Sequence, residues 1–172
     1  GMGYHCTNNS KTDYNFKGND AALWDECSNR AHYRNRPENK PFFAIFNLTV
    51  SHESSLFPPT IAANRKRGLI PESPRVKPGS VKVPPYLPDL PEIREDIAVY
   101  HDTMTALDRQ VGGLLDELEK SGLAEDTIVF YYSDHGGIIP RGKRYLEDSG
   151  TRVPLLVRLP AKWRHLSPFP AG

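Results

Sequence analysis

Two short polar clusters in this sequence hold residue types that bind ions and move protons. The first is Ser133-Asp134-His135-Gly136-Gly137, which directly follows the run Thr127-Ile128-Val129-Phe130-Tyr131-Tyr132. A carboxylate and a neutral imidazole are both good ligands for a divalent cation. Neighbours on a strand point to opposite faces, so Asp134 and His135 serve one ion only where the strand has ended. The glycine pair behind them permits that turn. The second cluster, Ser51-His52-Glu53, follows another apolar run, Phe42-Phe43-Ala44-Ile45-Phe46-Asn47-Leu48-Thr49-Val50. Beyond Gly137 comes a loop carrying Arg141, Lys143, Arg144, Glu147 and Asp148. Histidine, lysine, arginine and a metal gathered at one sheet edge suit an oxyanion such as sulfate or phosphate. Cations there offset the charge that develops on the leaving oxygen.

Several elements must position these groups. Thr127 to Tyr132 is an unbroken β-branched and aromatic run, which predicts a short buried strand. In an α/β protein, ligands and catalytic groups collect at the carboxyl ends of such strands. A second strand is predicted over Phe42 to Val50, opened by Pro41. Gly3 to Thr7 reads as a short strand entering the polar turn Asn8 to Asp13, and Asp20 to Arg34 as a helix with Asp20 at its N-cap. Between Phe57 and Pro91 the prolines forbid a helix and discourage a central strand. Periodic segments resume on both sides, so this stretch reads as an excursion of one domain. The clearest helix begins at Asp89 or Pro91 and ends at Gly122, after Lys120. Its apolar stripe is Ile93, Ile97, Tyr100, Met104, Leu107, Val111, Leu114 and Leu118. Thr151 to Arg158 is a last strand, broken early by Pro154. The element order predicts a single α/β domain over residues 1–172, with a mixed, largely parallel sheet flanked by helices.

Composition narrows the partners. The chain has 172 residues and a net charge of +1, without basic or acidic runs, so nucleic-acid and anionic-membrane binding gain no support. No apolar run is long enough to span a bilayer. Cys6 and Cys27 form one bridge or stay free thiols, and neither sits in a zinc-ligand spacing. Glu53, Glu147 and the Arg65-Lys66-Arg67 cluster read as solvated surface charge.

Taken together, Ser133-Asp134-His135-Gly136, Gly142-Lys143 and Ser149-Gly150-Thr151-Arg152-Val153-Pro154-Leu155 resemble the sulfatase family in order and spacing. Pro88-Asp89, Arg94-Glu95-Asp96, Leu107-Asp108 and Val111-Gly112 resemble the segment that precedes that strand, and Gly3-Tyr4 with Lys11 resembles the family's G-Y-x-T…G-K-W-H segment. The resemblance implies that Asp134 and His135 bind a divalent cation, usually calcium, and that Lys143 contacts the substrate sulfate. It places Lys11 beside the nucleophile, with Asp13 where the family has a histidine. It places His52 at the second histidine of H-x-P-H, which contacts sulfate and protonates the leaving group, with Thr49 in place of the first.

The departures matter as much. Sulfatases attack with a formylglycine made from Cys or Ser within C/S-x-P-S/A-R, and no such pattern occurs in this chain. The family's Asp-Asp pair on its first strand is also missing. The chain therefore resembles an internal portion of a sulfatase catalytic domain of the alkaline-phosphatase-like superfamily, expected to bind calcium weakly and to be inactive alone. Two other readings stay open: a phosphodiesterase or phosphomutase of the same superfamily, or an inactive fragment. The resemblance is nearest to sulfatases of sulfated glycans, including those acting on N-sulfated glucosamine. It implies a sulfated small molecule or glycan as partner, and a periplasmic or secreted parent enzyme. An incomplete sheet would leave an unpaired edge, through which dimerisation is expected.

Overall fold

In the computed structural model, which describes residues 2–168, three parallel strands make the first sheet. Their order is β2 (Glu26–Cys27), β1 (His5–Asn9), β3 (Phe42–Phe46). The chain divides into two compact units after Thr49, and this sheet belongs to the first. β1 is the middle strand, and its Thr7 and Asn8 are each 1% exposed. A buried amide must be satisfied. Asn8 meets that demand by donating to the Lys11 carbonyl at 2.8 Å and accepting from the Asn47 amide at 2.8 Å. Buried Tyr33 stacks on Phe42 with ring centres 4.8 Å apart, closing one side of the sheet.

The helix expected over Asp20 to Arg34 is cut short. Only α1 (Asp20–Leu23) forms, and its cap is Asn19, whose side chain accepts from the Ala21 N–H. The chain then joins the sheet as β2. The Asp25 N–H donates to the Cys6 carbonyl at 2.9 Å, and the Asp25 carboxylate accepts from the Cys6 N–H at 2.8 Å. Pairing with β1 overrides a weak helical preference in this stretch. Cys6 and Cys27 are free thiols.

The second unit holds α2 (Pro58–Lys66), α3 (Pro91–Lys120), β4 (Val129–Tyr132), α4 (Asp148–Thr151) and β5 (Leu155–Arg158). Three local expectations need correction. Helix α2 forms inside the proline-rich stretch, because Pro58 and Pro59 occupy its first positions, where no N–H is required. The strand expected from Thr151 starts only at Leu155, since the preceding residues turn as α4. The Thr127 run is not buried throughout. β4 pairs only with β5, antiparallel, and Phe130 and Tyr132 are each 61% exposed, whereas Val129 and Tyr131 are half-buried. A two-stranded ribbon covers one face, so alternation replaces continuous burial. The architecture remains α/β, with a parallel sheet and helices.

Helix α3 begins at Pro91, as its proline predicts, and spans 30 residues. Its buried set is offset to one side of the expected stripe: Ala98, Val99, Asp102, Thr103 and Ala106 join Ile97, Leu107 and Leu118, while Met104 is 37% exposed. Small side chains let neighbouring segments approach the helix closely. Val81, Ile97 and Ala98 form a core with Val76, Val83, Ile93 and Ile139 packed around it, so the proline-rich stretch docks on the helix. Arg94 fastens it further. Its guanidinium takes the Asp89 carboxylate at 2.5 and 2.7 Å, and donates to the carbonyls of Pro78, Gly79 and Val81 at 3.1 to 3.3 Å. No helix among the described residues is long and apolar enough to cross a membrane.

Candidate functional site

His52 and Glu53 open a 3₁₀ turn, Glu53–Leu56, with His52 as its cap. Buried Ser55 fixes the turn by donating from Oγ to the Val50 carbonyl at 2.6 Å. The loop after β4 folds back on itself. The Gly136 N–H donates to the Gly150 carbonyl and the Lys143 N–H to the Gly137 carbonyl, both at 2.9 Å. These closures need backbone without side chains. A Cβ at Gly142 would lie 1.9 Å from the Gly137 oxygen, and one at Gly136 1.8 Å from the Ser149 oxygen. Arg141 and Arg144 adopt φ of 71° and 73°. That region is uncommon for non-glycine residues and concentrates at functional sites.

This loop brings Lys143 to the 3₁₀ turn. Lys143 Nζ lies 3.2 Å from His52 Nε2 and 3.1 Å from Glu53 Oε1. Arg144 takes the same carboxylate in a fork, at 2.7 and 2.8 Å. The Glu53 carboxyl is held down to about 2, first by the Arg144 hydrogen bonds and then by the one from Lys143. An ammonium has no lone pair, so Nε2 of His52 accepts the Lys143 proton. With one proton on the ring, Nδ1 either donates to Ser54 Oγ at 2.9 Å, which leaves Nε2 to the ammonium, or accepts from the Ser54 N–H at 3.3 Å as the cap of the turn; it cannot do both. The Lys143 contact at Nε2 favours the first arrangement, and the Ser54 cap bond the second.

Asp134 and His135 are placed side by side at the end of β4. His135 Nδ1 lies 2.7 Å from the Gly136 carbonyl, which can only accept, so Nδ1 carries the proton. Its Nε2 is 3.7 Å from Asp134 Oδ1. Ser133 Oγ braces the turn by donating to the His135 carbonyl at 2.7 Å. These donors fit a divalent cation in kind, as one oxygen and one imidazole lone pair. They do not fit in number, because calcium takes six to eight ligands. Among the described residues no group of three or more His, Cys, Asp or Glu could hold a metal ion.

Lys11 lies in the first unit. Its carbonyl is held by Asn8 and its Nζ is 3.6 Å from Asp13 Oδ2. Within the second unit the structure thus joins His52 to Lys143, and Asp134 to His135. Glu53 is the residue that sequence reasoning missed. Its signal was its position: a carboxylate directly after the candidate histidine, in a chain whose candidate loop holds adjacent Lys143 and Arg144.

Residues 2–169 match the family model for sulfatases. The chain belongs to the sulfatase family. It is 40% identical, over 93% of its length, to an ulvan-active sulfatase of Formosa agariphila, of which it covers 31%. Over 52% of its length it is 38% identical to the N-sulphoglucosamine sulphohydrolase of Homo sapiens, covering 18% of that protein. A second ulvan-active sulfatase of Formosa agariphila is 28% identical over 92% of the chain, with 30% of that relative covered. This sulfatase chain therefore spans less than a third of the length of these relatives.

Proposed function

We propose that this chain supplies the sulfate grip and the leaving-group histidine of an enzyme that hydrolyses sulfate esters of glycans. The contact between Lys143 Nζ and His52 Nε2 carries this reading. The ammonium is a point charge suited to a sulfate oxygen. A sulfate ester entering beside it meets a cation and a ring nitrogen that accepts the proton needed by the departing oxygen. Breaking the S–O bond develops charge on that oxygen, and a proton delivered from His52 Nε2 neutralises it. The proton that His52 passes on is taken up from solvent, since Lys143 must keep its own to hold the sulfate. The reading of glycans as substrates rests on the relatives, two of which are named for ulvan and one for N-sulphoglucosamine.

The remaining parts belong to the same proposal. A formylglycine supplied from outside residues 1–172 is the nucleophile, with Lys11 beside it. Asp134 and His135 contribute two ligands to calcium, and this chain alone binds it weakly and is inactive. The parent enzyme is periplasmic or secreted, its partners are sulfated small molecules or glycans rather than nucleic acid or membrane, and the exposed β4–β5 edge mediates dimerisation of this chain.

Titration with inorganic sulfate tests the central claim. Lys143→Met should weaken sulfate binding about tenfold, the loss of one charge-assisted hydrogen bond. Equal affinity in wild type and Lys143→Met would overturn it.

A further inference from the structure

Glu53 is not a solvated surface charge. Its side chain is 25% exposed, and it accepts three hydrogen bonds from two adjacent cations of the opposing loop: one from Lys143, and the two of the Arg144 fork. Lys143 is 20% exposed and Arg144 67%, so the fork lies outermost and the ammonium innermost, against His52. A lysine on a flexible stem can point its ammonium in many directions, and fixing it costs side-chain entropy. The carboxylate removes that freedom, because Oε1 is shared between Lys143 Nζ and Arg144 Nη2. Arg144 in turn is carried on left-handed backbone at φ 73°, a conformation held by its surroundings rather than by its own preference.

We propose that Glu53 is a positioning residue, whose carboxylate bridges Arg144 and Lys143 and so aims the Lys143 ammonium at His52 Nε2, locking the histidine in its Nδ1–H tautomer. The inference rests on the sulfate-grip reading for its purpose, and on geometry alone for its mechanism. Glu53 need not touch substrate. It acts through Lys143, and the depressed carboxyl pKa of about 2 agrees with a permanently ionised bridge.

The tautomer of His52 is directly readable by histidine-selective heteronuclear NMR of the whole chain, and merely loosening the loop would not specify it. In the wild type the proton is expected on Nδ1. In Glu53→Gln the Lys143 donor is released and an Nε2–H signal should become the major species. Glu53→Asp keeps the charge and the fold but is one methylene too short to bridge both cations, and the Nε2–H signal should again appear. A folded Glu53→Gln or Glu53→Asp variant that keeps the wild-type tautomer overturns the proposal. Lys143→Met separates the two claims. It should shift the tautomer in the same way, by removing the donor itself. If it shifts the tautomer without weakening inorganic sulfate binding, the sulfate-grip reading falls while the positioning role stands. If the Glu53 variants leave the tautomer unchanged while Lys143→Met weakens sulfate about tenfold, the reverse holds.

Discussion

Substituting Gly142 by alanine probes whether the loop after β4 is the device that delivers Lys143. The new Cβ would lie 1.9 Å from the Gly137 oxygen, 2.8 Å from its carbon and 3.1 Å from its nitrogen, against ordinary contacts of 3.4–4 Å. Relief needs a backbone shift of about 1.5 Å, the difference between 3.4 and 1.9 Å. That shift moves the same carbonyl that accepts the Lys143 N–H at 2.9 Å. Overpacking of this kind costs about 1–3 kcal/mol, and the lost hydrogen bond about 1 kcal/mol more. The expected loss is about 2–4 kcal/mol, or a melting temperature lower by about 4–16 °C for a chain of this size. Gly113→Ala is the control: nothing lies within 4 Å of its Cβ, in the middle of α3. There alanine should raise stability by about 0.5–1 kcal/mol. Thermal unfolding and inorganic sulfate titration, run side by side, measure both consequences. If Gly142→Ala melts like wild type and binds sulfate equally well, the close approach does not hold Lys143 and the account of the loop is wrong.

Other outcomes follow from the same contacts. The Glu53 carboxyl, lowered from 4.5 to about 2 in the folded chain, adds stability that is complete above pH 4.5 and disappears as pH falls toward 2. Urea midpoints should therefore drop between those pH values, and Glu53→Gln should flatten that slope; an identical slope in both proteins would refute the ionised bridge. Arg94→Ala should release the proline-rich stretch from α3, seen as faster limited proteolysis between Pro78 and Leu90, because a bidentate ion pair and three carbonyl contacts vanish together. Asn8→Ala removes the bonds to the Lys11 carbonyl and from the Asn47 amide, which keeps only the Asn9 carbonyl at 3.2 Å, and should destabilise the first unit by about 1–3 kcal/mol in chemical denaturation. Calcium titration by calorimetry should show affinity weaker than micromolar for the wild-type chain, further reduced in Asp134→Ala; micromolar binding would mean that ligands beyond Asp134 and His135 are present.

Local chemistry settled much of this protein from its sequence. Pro91 and Lys120 bound α3 because proline suits the first position of a helix, and the α/β order follows from alternating periodicities. The Ser133-to-Pro154 motif and His52 pointed to sulfatase chemistry, and the family match covers residues 2–169. What stayed hidden depended on partners far away in sequence. Glu26 and Cys27 became a strand only because β1 offered its edge. Phe130 and Tyr132 are exposed because β4 has a single neighbour, β5. Glu53 looked like any surface carboxylate until Lys143 and Arg144, about 90 residues later, were folded against it. Periodicity and motifs report what a residue prefers and what it is able to do. Which lone pair faces which proton, as between His52 and Lys143, is decided only when tertiary structure places them 3.2 Å apart.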